Sequence, residues 1–275
     1  MKQTQHIGFI GAGNMATSII QGLIATGYSP DLLSATVRSD DRAIILSQRL
    51  GIQVSTDNQA LVRHSDIVVL AVKPQQMREL LEVIAPVVRV KKPLIISVAV
   101  GVTLDLLQAW LGDNTLAIVR SMPNTPALIG AGASGLFANE QVTQTQRASA
   151  ESIHRAVGLT VWLHHEEQIN TVASLSGSGP AYFFYMMEAM ERAAVILGLD
   201  KEVARLLCLQ TALGASRLAL ESEEDVVSLR RKVTSPKGTT AQAINVFDAA
   251  HLSGIVEQAM RASSQRARTL AKDLE

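Results

Sequence analysis

The feature of this sequence that most constrains its fold is the stretch GFIGAGNMA, which begins at Gly8. It contains the pattern G-x-G-x-x-A, from Gly11 to Ala16, after a short apolar run at residues 6–10 and before a segment with helical spacing. In a βαβ unit, the first glycine makes the tight turn after the strand, and the second lets a pyrophosphate approach the backbone. The helix that follows offers free N–H groups to the anion. The stretch therefore predicts a Rossmann-type unit that binds a dinucleotide; the alternative is a glycine turn that serves only packing.

The rest of the first half alternates between strand-like and helix-like segments. Strand-like runs lie near residues 6–10, 33–37, 54, 66–72, 93–100, 115–121 and 159–163, with helical spacing near 15–26, 42–50, 75–85, 104–111 and 143–157. The runs DIVVLAV and PLIISVAV are almost continuously apolar, which is typical of parallel strands covered on both faces. This alternation predicts an α/β fold with a doubly wound, mostly parallel sheet.

The pattern changes after about His164. From Pro180 to Glu275 no strand-like alternation appears, and three segments rich in alanine show helical spacing. We therefore predict two domains, a dinucleotide-binding Rossmann domain over residues 1–164 and an all-α domain over residues 165–275.

Composition limits the classes of function. Among 275 residues, Lys+Arg 25 balances Asp+Glu 25, so there is no net basic field to favour nucleic acid, although a local basic patch stays open. Aromatic residues make up 4%, which argues against a stacking platform for nucleic-acid bases. The N-terminal residues lack the pattern of a signal peptide, and no uninterrupted apolar run reaches the ~20 residues that span a bilayer. The single Cys208 lies in an apolar run and is interpreted as a buried structural thiol rather than a reactive one. These features predict a cytoplasmic protein without nucleic-acid or membrane partners.

The end of the second strand bears on the choice of dinucleotide. An NAD site usually has an acidic residue at this place, whereas this chain has Val37, Arg38 and Ser39. Arg38 can pair with a 2′-phosphate and Ser39 can donate to it, so NADPH is predicted to be preferred over NADH. Asp40 and Asp41 follow directly and weaken the preference, and in the alternative Ser39 or Asp40 merely caps the next helix.

Three further motifs combine glycine, proline and hydroxyl groups. In RSMPNTPALIGAG two X-Pro bonds stiffen the loop after the sixth strand, either as a rigid connector or as a wall for a flat ring such as nicotinamide. The stretches SGSG, before Pro180, and TSPKGTT are each expected to open a helix, and a helix N-terminus can receive a carboxylate. The alternative for each is an ordinary loop.

The histidines do not form a convincing set. The run His164-His165-Glu166-Glu167 matches no closed zinc pattern, and the other histidines are scattered along the chain. We predict no metal site, and no Ser-His-Asp arrangement for acyl transfer is visible.

Taken together, GFIGAGNMA, LAVKP, SVAVGVTLDLL, RSMPNTPALIGAG, LSGSGPAYFF and VTSPKGTTAQAI resemble the pyrroline-5-carboxylate reductase family over essentially the whole chain. The resemblance implies an oxidoreductase that uses NADPH or NADH to reduce the cyclic imine of 1-pyrroline-5-carboxylate to L-proline, the last step of proline biosynthesis. It also implies a homodimer through the helical domain, with active sites that use helices from both subunits, and it allows assembly into a decamer. Because a protonated imine is already electrophilic, hydride transfer mainly needs orientation.

The resemblance also assigns site residues. The cofactor-binding positions would be Ile10, Gly11, Ala12, Gly13, Asn14, Met15, Arg38, Ser39, Asn58, Ala71, Val72, Lys73, Pro74, Ala99, Met122, Pro123 and Asn124. The catalytic positions would be Thr240, Ser176 and Ser178, and the substrate-binding positions Gly238, Thr239, Thr240 and Glu223. Backbone N–H groups around Gly238, Thr239 and Thr240 would hold the substrate carboxylate, and the Thr240 hydroxyl would bond the ring nitrogen. Glu223 and Lys232 would act across the dimer interface, or else are ordinary exposed charges.

Some points depart from this pattern or stay open. Lys237 stands where family members often have a glycine before Gly238, and lysine cannot adopt every conformation that glycine can. A related NADP-dependent imine reductase would share these motifs, whereas a non-catalytic nucleotide sensor would have little need of SPKGTT. A 3-hydroxyacid dehydrogenase is disfavoured because the helix after the linker carries no lysine to act as general base.

Overall fold

The structure is a computed structural model that describes residues 4–274. Its first part is built on one eight-stranded sheet with strand order β3-β2-β1-β4-β5-β6-β7-β8. The strands are β1 (Ile7–Ile10), β2 (Leu33–Thr36), β3 (Gln53–Ser55), β4 (Ile67–Leu70), β5 (Leu94–Ser97), β6 (Ile118–Met122), β7 (Gly132–Ala138) and β8 (Gly158–Trp162). Every neighbouring pair is parallel except β6 with β7. The predicted doubly wound, mostly parallel sheet is therefore confirmed.

Twelve α-helices occur among the described residues. They are α1 (Asn14–Ala25), α2 (Asp40–Leu50), α3 (Asn58–His64), α4 (Met77–Lys91), α5 (Leu104–Leu111), α6 (Gln144–Arg155), α7 (Gln168–Val172), α8 (Gly179–Ile196), α9 (Lys201–Glu221), α10 (Val226–Lys232), α11 (Thr239–Ala249) and α12 (Leu252–Lys272). A π-helical segment, Ala173–Gly177, lies between α7 and α8.

The sheet forms a core on both of its faces. All four residues of β1, β4 and β5 are buried, as expected for central parallel strands covered by helices on each side. One apolar cluster includes Phe9 and Val69, and the other includes Ile10 and Val68, so alternate residues of these strands serve opposite faces. Strand order reverses between β1 and β4, and in open α/β sheets this switch point is where ligands bind, beyond the carboxyl ends of the strands.

Strand β7 and helix α3 of the first part were not predicted. Strand β7 is composed mainly of Gly, Ala and Ser, which have weak strand preference, but it pairs with β6 on one side and with β8 on the other. Helix α3 has only seven residues and begins after Asp57, whose side chain accepts from the N–H of Ala60. The predicted helical run at 104–111 agrees with α5, and most other predicted elements differ from the structure by a few residues at their ends.

By its backbone contacts the chain separates into two compact units. One contains the residues up to Ser178 together with those from Ala262 onward, and the other contains Gly179–Arg261. The second unit is entirely helical, as the fold prediction requires. The predicted domain boundary between residues 164 and 165 stays a prediction.

The second unit buries little of its apolar surface within the single chain. Across residues 179–261, all of which the structure describes, only Gly179, Ala204 and Cys208 are buried. Large side chains such as Phe183 and Leu213 are at least 60% exposed. Helix α9 is long and apolar enough, by length and composition alone, to cross a membrane, yet only 11% of its most apolar window is buried. Exposed apolar surface of this extent marks an interaction surface.

Candidate active site

The glycine-rich turn after β1 is fixed to the end of β2. The N–H groups of Gly11 and Ala12 both donate to the carbonyl oxygen of Thr36, at 3.1 and 3.2 Å. Gly11 has a φ of 90°, and a Cβ at this position would lie 2.8 Å from Cγ1 of Val72. Only glycine satisfies both the left-handed backbone and the close approach of the segment after β4. The structure thus brings together the ends of β1, β2 and β4.

The N-terminus of α1 is open to an anion. Its N-cap is Gly13, which is exposed and supplies no capping side chain. A Cβ on Gly13 would meet no atom within 4 Å, so the space in front of the turn is free. The first N–H groups of a helix have no partner inside the helix, so those of Asn14, Met15 and Ala16 remain available, whereas the N–H of Thr17 donates to the carbonyl oxygen of Gly13. Free N–H groups, a positive helix end and open space fit the pyrophosphate of a dinucleotide.

The end of β2 carries two arginines that have no carboxylate partner among the described residues. Arg38 is exposed, and Ser39 is the N-cap of α2 without a capping hydrogen bond from its side chain. Asp40 accepts from the hydroxyl of Thr56 at 3.1 Å. Arg42, which the sequence analysis did not select, donates from Nη2 to the carbonyl oxygen of Ala12 at 3.3 Å and so braces the glycine-rich turn.

The remaining predicted cofactor positions follow the next strands. Asn58 is the first residue of α3 after β3, and it is half-buried. Lys73 is exposed and directly precedes a short 3₁₀-helix, Pro74–Gln76, after β4. Ala99, after β5, is buried, and its N–H donates to Oγ of Ser97 at 3.4 Å. All three therefore lie beyond the carboxyl ends of parallel strands, where ligands of such sheets bind.

The loop after β6 is held by Asn124. Its side-chain Oδ1 accepts from the N–H of Ala133 at 2.8 Å, which closes the connection from β6 to β7. Its Nδ2 donates to the carbonyl oxygen of Ser176 at 2.9 Å. The side chain is nearly buried, and both of its polar atoms are bonded to backbone groups. The loop that contains Met122 and Pro123 is thus rigid for a reason beyond its prolines.

The stretch SGSG does not open a helix, which corrects the sequence-based expectation. The residues Ala173–Gly177 form a π-helical segment, and the N–H of Ser178 donates to the carbonyl oxygen of Ala173 at 2.8 Å. The start of α8 at Gly179 is therefore not a free N-terminus for a carboxylate. Pro180 accounts for the irregularity, because proline has no N–H and its ring clashes with the carbonyl four residues earlier, that of Ser176. A single π-turn is a common way to accommodate such a residue.

The two serines of this segment differ in their bonding. The Ser176 hydroxyl donates to the carbonyl oxygen of Val172 at 3.2 Å, so its lone pairs stay available to a donor. The Ser178 hydroxyl lies 3.1 Å from that of Ser263 in α12. A Cβ on Gly177 would lie 2.7 Å from Cε of Met122, the last residue of β6, so the methionine side chain packs directly on this glycine.

The turn before α11 explains how Lys237 is accommodated. The N–H of Gly238 donates to the carbonyl oxygen of Ser235 at 3.0 Å, which closes a four-residue turn. Pro236 occupies its second position, and Lys237, in the third, has a φ of 61°. Proline followed by a positive φ is the signature of a type II turn, in which the third position favours glycine. Lys237 therefore adopts the left-handed conformation itself, rather than changing the turn.

Helix α11 begins at this turn with free N–H groups. Its N-cap is Gly238, without a capping side chain, and Thr239 and Thr240 are its first two residues. Both threonines are exposed. Among the described residues, neither hydroxyl has a hydrogen-bond partner. Backbone donors and free hydroxyls together make this end suitable for a carboxylate with a neighbouring polar atom.

Glu223 and Lys232, predicted to act across the dimer interface or else to be ordinary charges, are both exposed within the single chain. Lys232 Nζ forms its ion pair with Oε1 of Glu224 at 2.5 Å. Glu223 is exposed, with no partner among the described residues. An ion pair as exposed as that of Lys232 contributes little to stability.

A buried ion pair lies near the strand ends and was missed by the sequence analysis. Nη1 of Arg120 on β6 lies 2.6 Å from Oε1 of Glu166, and the same oxygen accepts from the N–H of Leu104 at 2.8 Å. Burial lowers the pKa of Arg120, and the opposite charge of Glu166 raises it again. The pair connects β6, the start of α5 and the segment just before α7. A charged residue inside the apolar run TLAIVRS was the available signal, because such a residue needs a buried partner.

A second buried polar pair lies on the other face of β6. The Ser121 hydroxyl is 2.6 Å from Nε2 of His154, whose Nδ1 is 2.8 Å from the carbonyl oxygen of Ala150. Because a carbonyl only accepts, Nδ1 carries the proton and the Ser121 hydroxyl donates to Nε2. Burial lowers the pKa of His154 to about 4. With His154 fully buried, this pair is structural and joins α6 to β6.

The run of histidines and glutamates near residue 165 has a structural explanation. Glu166 pairs with Arg120, while the backbone N–H groups of His164 and His165 donate to Oε1 of Gln168. Among the described residues, no group of three or more His, Cys, Asp or Glu side chains is arranged to hold a metal ion.

Comparison with known proteins identifies the family. Residues 166–270 match the family model described as pyrroline-5-carboxylate reductase dimerisation, and residues 6–101 match the one described as NADP oxidoreductase coenzyme F420-dependent. The chain is 46% identical over 271 residues to pyrroline-5-carboxylate reductase of Pseudomonas aeruginosa, covering 98% of each chain. The chain belongs to the pyrroline-5-carboxylate reductase family.

Two solved structures of pyrroline-5-carboxylate reductases support the same assignment. That of Coxiella burnetii is 50% identical with a TM-score of 0.93, and the match covers 98% of this chain and 99% of the other. The Plasmodium falciparum pyrroline carboxylate reductase, solved with NADP bound, is 26% identical with a TM-score of 0.87 and the same coverage. The predicted family membership is confirmed.

Membership of the pyrroline-5-carboxylate reductase family gives the exposed helices their explanation. Helices α8 to α11 lie within the matched dimerisation region. The chain is thus a dimer-forming oxidoreductase that binds a nucleotide and a small-molecule substrate. The apolar surface of α9 is what a helix presents when a partner subunit covers it.

Proposed function

We propose that this protein reduces 1-pyrroline-5-carboxylate to L-proline, the last step of proline biosynthesis, with NADPH preferred over NADH. The observation that carries the proposal is the match to pyrroline-5-carboxylate reductases over 98% of both chains. The geometry supports it, since the chain offers a dinucleotide turn and a second anion receptor at α11. Bound NAD(P)H supplies the hydride.

The proposed cofactor residues are those beyond the carboxyl ends of the strands. The N–H groups at the start of α1 hold the pyrophosphate, and Asn58, Ala71–Pro74 and Ala99 line the crevice. Arg38 and Ser39 bind the 2′-phosphate, which is the basis of the NADPH preference. Support comes from the absence of any described carboxylate partner for Arg38 and from the free hydroxyl of Ser39.

The proposed substrate carboxylate receptor is the start of α11. The N–H groups of Thr239 and Thr240 lie in the first turn of the helix, and the Gly238 N-cap has no side chain that competes for them. The hydroxyl of Thr240 bonds the ring nitrogen and fixes the ring. Lys237 adds a positive charge beside this receptor without disturbing the turn.

The proposed role of Ser176 follows from the direction of its proton. Because its hydroxyl donates to Val172, it can only accept from a ligand, and the single N–H of a protonated imine would be shared between the oxygens of Ser176 and Thr240. Ser178 completes the pocket, and its hydroxyl shares a hydrogen bond with Ser263. None of these groups is a strong acid or base, which agrees with a reaction that needs orientation more than proton transfer.

The proposal also covers assembly and location. We propose that dimers form through the helical residues 165–275, that Glu223 acts at this interface, and that dimers assemble further into a decamer. We propose that the protein is cytoplasmic; the single buried Cys208 supports a reducing compartment.

Thr240 provides the direct test of the substrate site. T240V keeps the side-chain volume and removes the hydroxyl, whereas T240S keeps the hydroxyl. Loss of a hydrogen bond to a charged group corresponds to about 1.5–3 kcal/mol, so T240V is expected to lower kcat/KM for pyrroline-5-carboxylate roughly 10- to 150-fold. T240S is expected to retain most of the activity, and both variants should bind NADPH as the wild type does.

The same assay separates the competing functions. NADPH oxidation is followed with pyrroline-5-carboxylate, a six-membered cyclic imine and an acyclic imine as substrates. Preference for a different imine would indicate a related imine reductase, and no turnover with any of them would indicate a nucleotide sensor. An unchanged kcat/KM for T240V would remove Thr240 from the site.

A further inference from the structure

The side chain of Asn124 connects the loop after β6 to the π-helical segment. Oδ1 accepts from Ala133 at 2.8 Å, and Nδ2 donates to the carbonyl oxygen of Ser176 at 2.9 Å. Asn124 is 8% exposed, so both bonds lie in a nearly dry environment. Such bonds hold backbone positions more firmly than exposed ones do.

The carbonyl of Ser176 lacks the donor that an α-helix would give it. In an α-helix it would accept from the N–H of residue 180, but that residue is Pro180. Ser176 is partly buried, and the Asn124 amide supplies a hydrogen bond to its carbonyl. The hydrogen bond from Asn124 therefore stabilises the π-helical segment next to Pro180.

A second contact joins the same two pieces of chain. Cε of Met122 packs so closely on Gly177 that a Cβ there would lie 2.7 Å away. Two successive residues of the π-helical segment, Ser176 and Gly177, thus contact Asn124 in the loop and Met122 at the end of β6. The position of the segment is fixed from the side of the loop after β6.

We propose that Asn124 is a positioning residue for the reduction, which acts by fixing the π-helical segment rather than by binding the cofactor. Through the carbonyl of Ser176 it sets where the hydroxyls of Ser176 and Ser178 lie. The inference rests on the proposed function, in which these two hydroxyls belong to the substrate pocket. It assigns to Asn124 a different role from that of a nicotinamide contact.

The test replaces Asn124 by aspartate. N124D retains an oxygen to accept from Ala133, but it places a second oxygen opposite the carbonyl of Ser176, where no hydrogen bond can form. The chain offers a matched control in Asn139, after β7. Its Oδ1 accepts from Ile118 at 3.0 Å and its Nδ2 donates to the carbonyl oxygen of Leu116 at 2.8 Å, at the opposite end of β6.

Thermal unfolding, NADPH affinity by fluorescence, and steady-state kinetics are measured for N124D, N139D and the wild type. Both variants lose the same kind of hydrogen bond, so similar decreases in Tm are expected. N124D should lower kcat/KM for pyrroline-5-carboxylate about 10- to 100-fold, as a misplaced pocket does, with NADPH affinity little changed. N139D should keep the kinetic constants of the wild type.

Three results would overturn the inference: kinetic constants of N124D equal to those of the wild type, equal losses in N124D and N139D, or a large loss of NADPH affinity in N124D, which would indicate a cofactor contact. Should N124D not fold, Gly177→Ala is measured instead, because its added methyl displaces Met122 from the same contact; unchanged kinetics would then count against the inference. A wild type without turnover would instead refute the proposed function.

Discussion

Replacing Glu166 by alanine is expected to destabilise the fold through the arginine that it leaves behind. The side chain of Arg120 is 4% exposed and that of Glu166 24%, and their nearest atoms are 2.6 Å apart. In E166A the guanidinium loses its only carboxylate partner among the described residues, and the N–H of Leu104 loses its acceptor. A buried charge without a partner is much less stable than a paired one.

The size of the effect follows from this burial. Removing one partner of a buried ion pair lowers the free energy of unfolding by about 3–5 kcal/mol. Because the Glu166 side chain is partly exposed, water can reach the pair, and we expect a value near the lower end, about 3 kcal/mol. For a chain of this size that corresponds to a decrease in Tm of about 6–12 °C. E166Q, which keeps an oxygen for Leu104, is expected to lose only about 1–2 kcal/mol.

Urea unfolding at one fixed protein concentration measures these values, because the stability of a dimer depends on concentration. The matched control is E82A, whose ion pair with Arg78 is exposed on both sides and is expected to contribute at most about 0.5 kcal/mol. The double variant R120M/E166M removes both charges and should recover most of the loss. A decrease for E166A no larger than that for E82A would refute this reasoning.

Three other predictions concern the cofactor, the pH dependence of stability and the turn. R38A should weaken NADPH binding far more than NADH binding in fluorescence titrations; equal losses would refute the assignment of Arg38. The pKa of His154 is about 4 in the folded protein and 6.5 in the unfolded chain, so near and below pH 6.5 the unfolded state binds more protons than the folded state. Stability should therefore fall by about 2 kcal/mol between pH 7 and 5 in urea unfolding, an effect that H154Q should remove; the same slope in both proteins would contradict it. K237G removes the strain of a lysine in the left-handed conformation, but the added glycine raises the conformational entropy of the unfolded chain. The free energy of unfolding should therefore rise by only about 0.5 kcal/mol, and a decrease of more than about 1 kcal/mol would contradict the type II turn.

Local signals in the sequence were sufficient to predict most strands of the Rossmann sheet. The strands β1, β4 and β5 appear as apolar runs because both of their faces are buried. Strand β7 has no such run. Its Gly, Ala and Ser residues become a strand because β6 and β8 supply partners on both sides, which is a tertiary effect.

The sequence predicted the separate motifs of the site but not the hydrogen bonds and ion pairs that join distant parts of the chain. The glycine-rich turn and the start of α11 carry local signatures, namely GAG and SPKGTT. By contrast, Arg120 and Glu166 are 46 positions apart, and Asn124 and Ser176 are 52 apart. Pairings over such separations depend on how the sheet and helices pack. The sequence predicts Pro180 in the first turn of a helix, whereas the helical backbone begins earlier and accommodates the proline with a π-turn.

The most direct test of the proposed reduction follows the hydride itself. The wild type is incubated with pyrroline-5-carboxylate and NADPH deuterated at C4 of the nicotinamide, and the product is analysed by mass spectrometry and NMR. We expect one L-proline per NADPH oxidised, with deuterium at C5. Absence of proline, although NADPH binds, would contradict the proposed function.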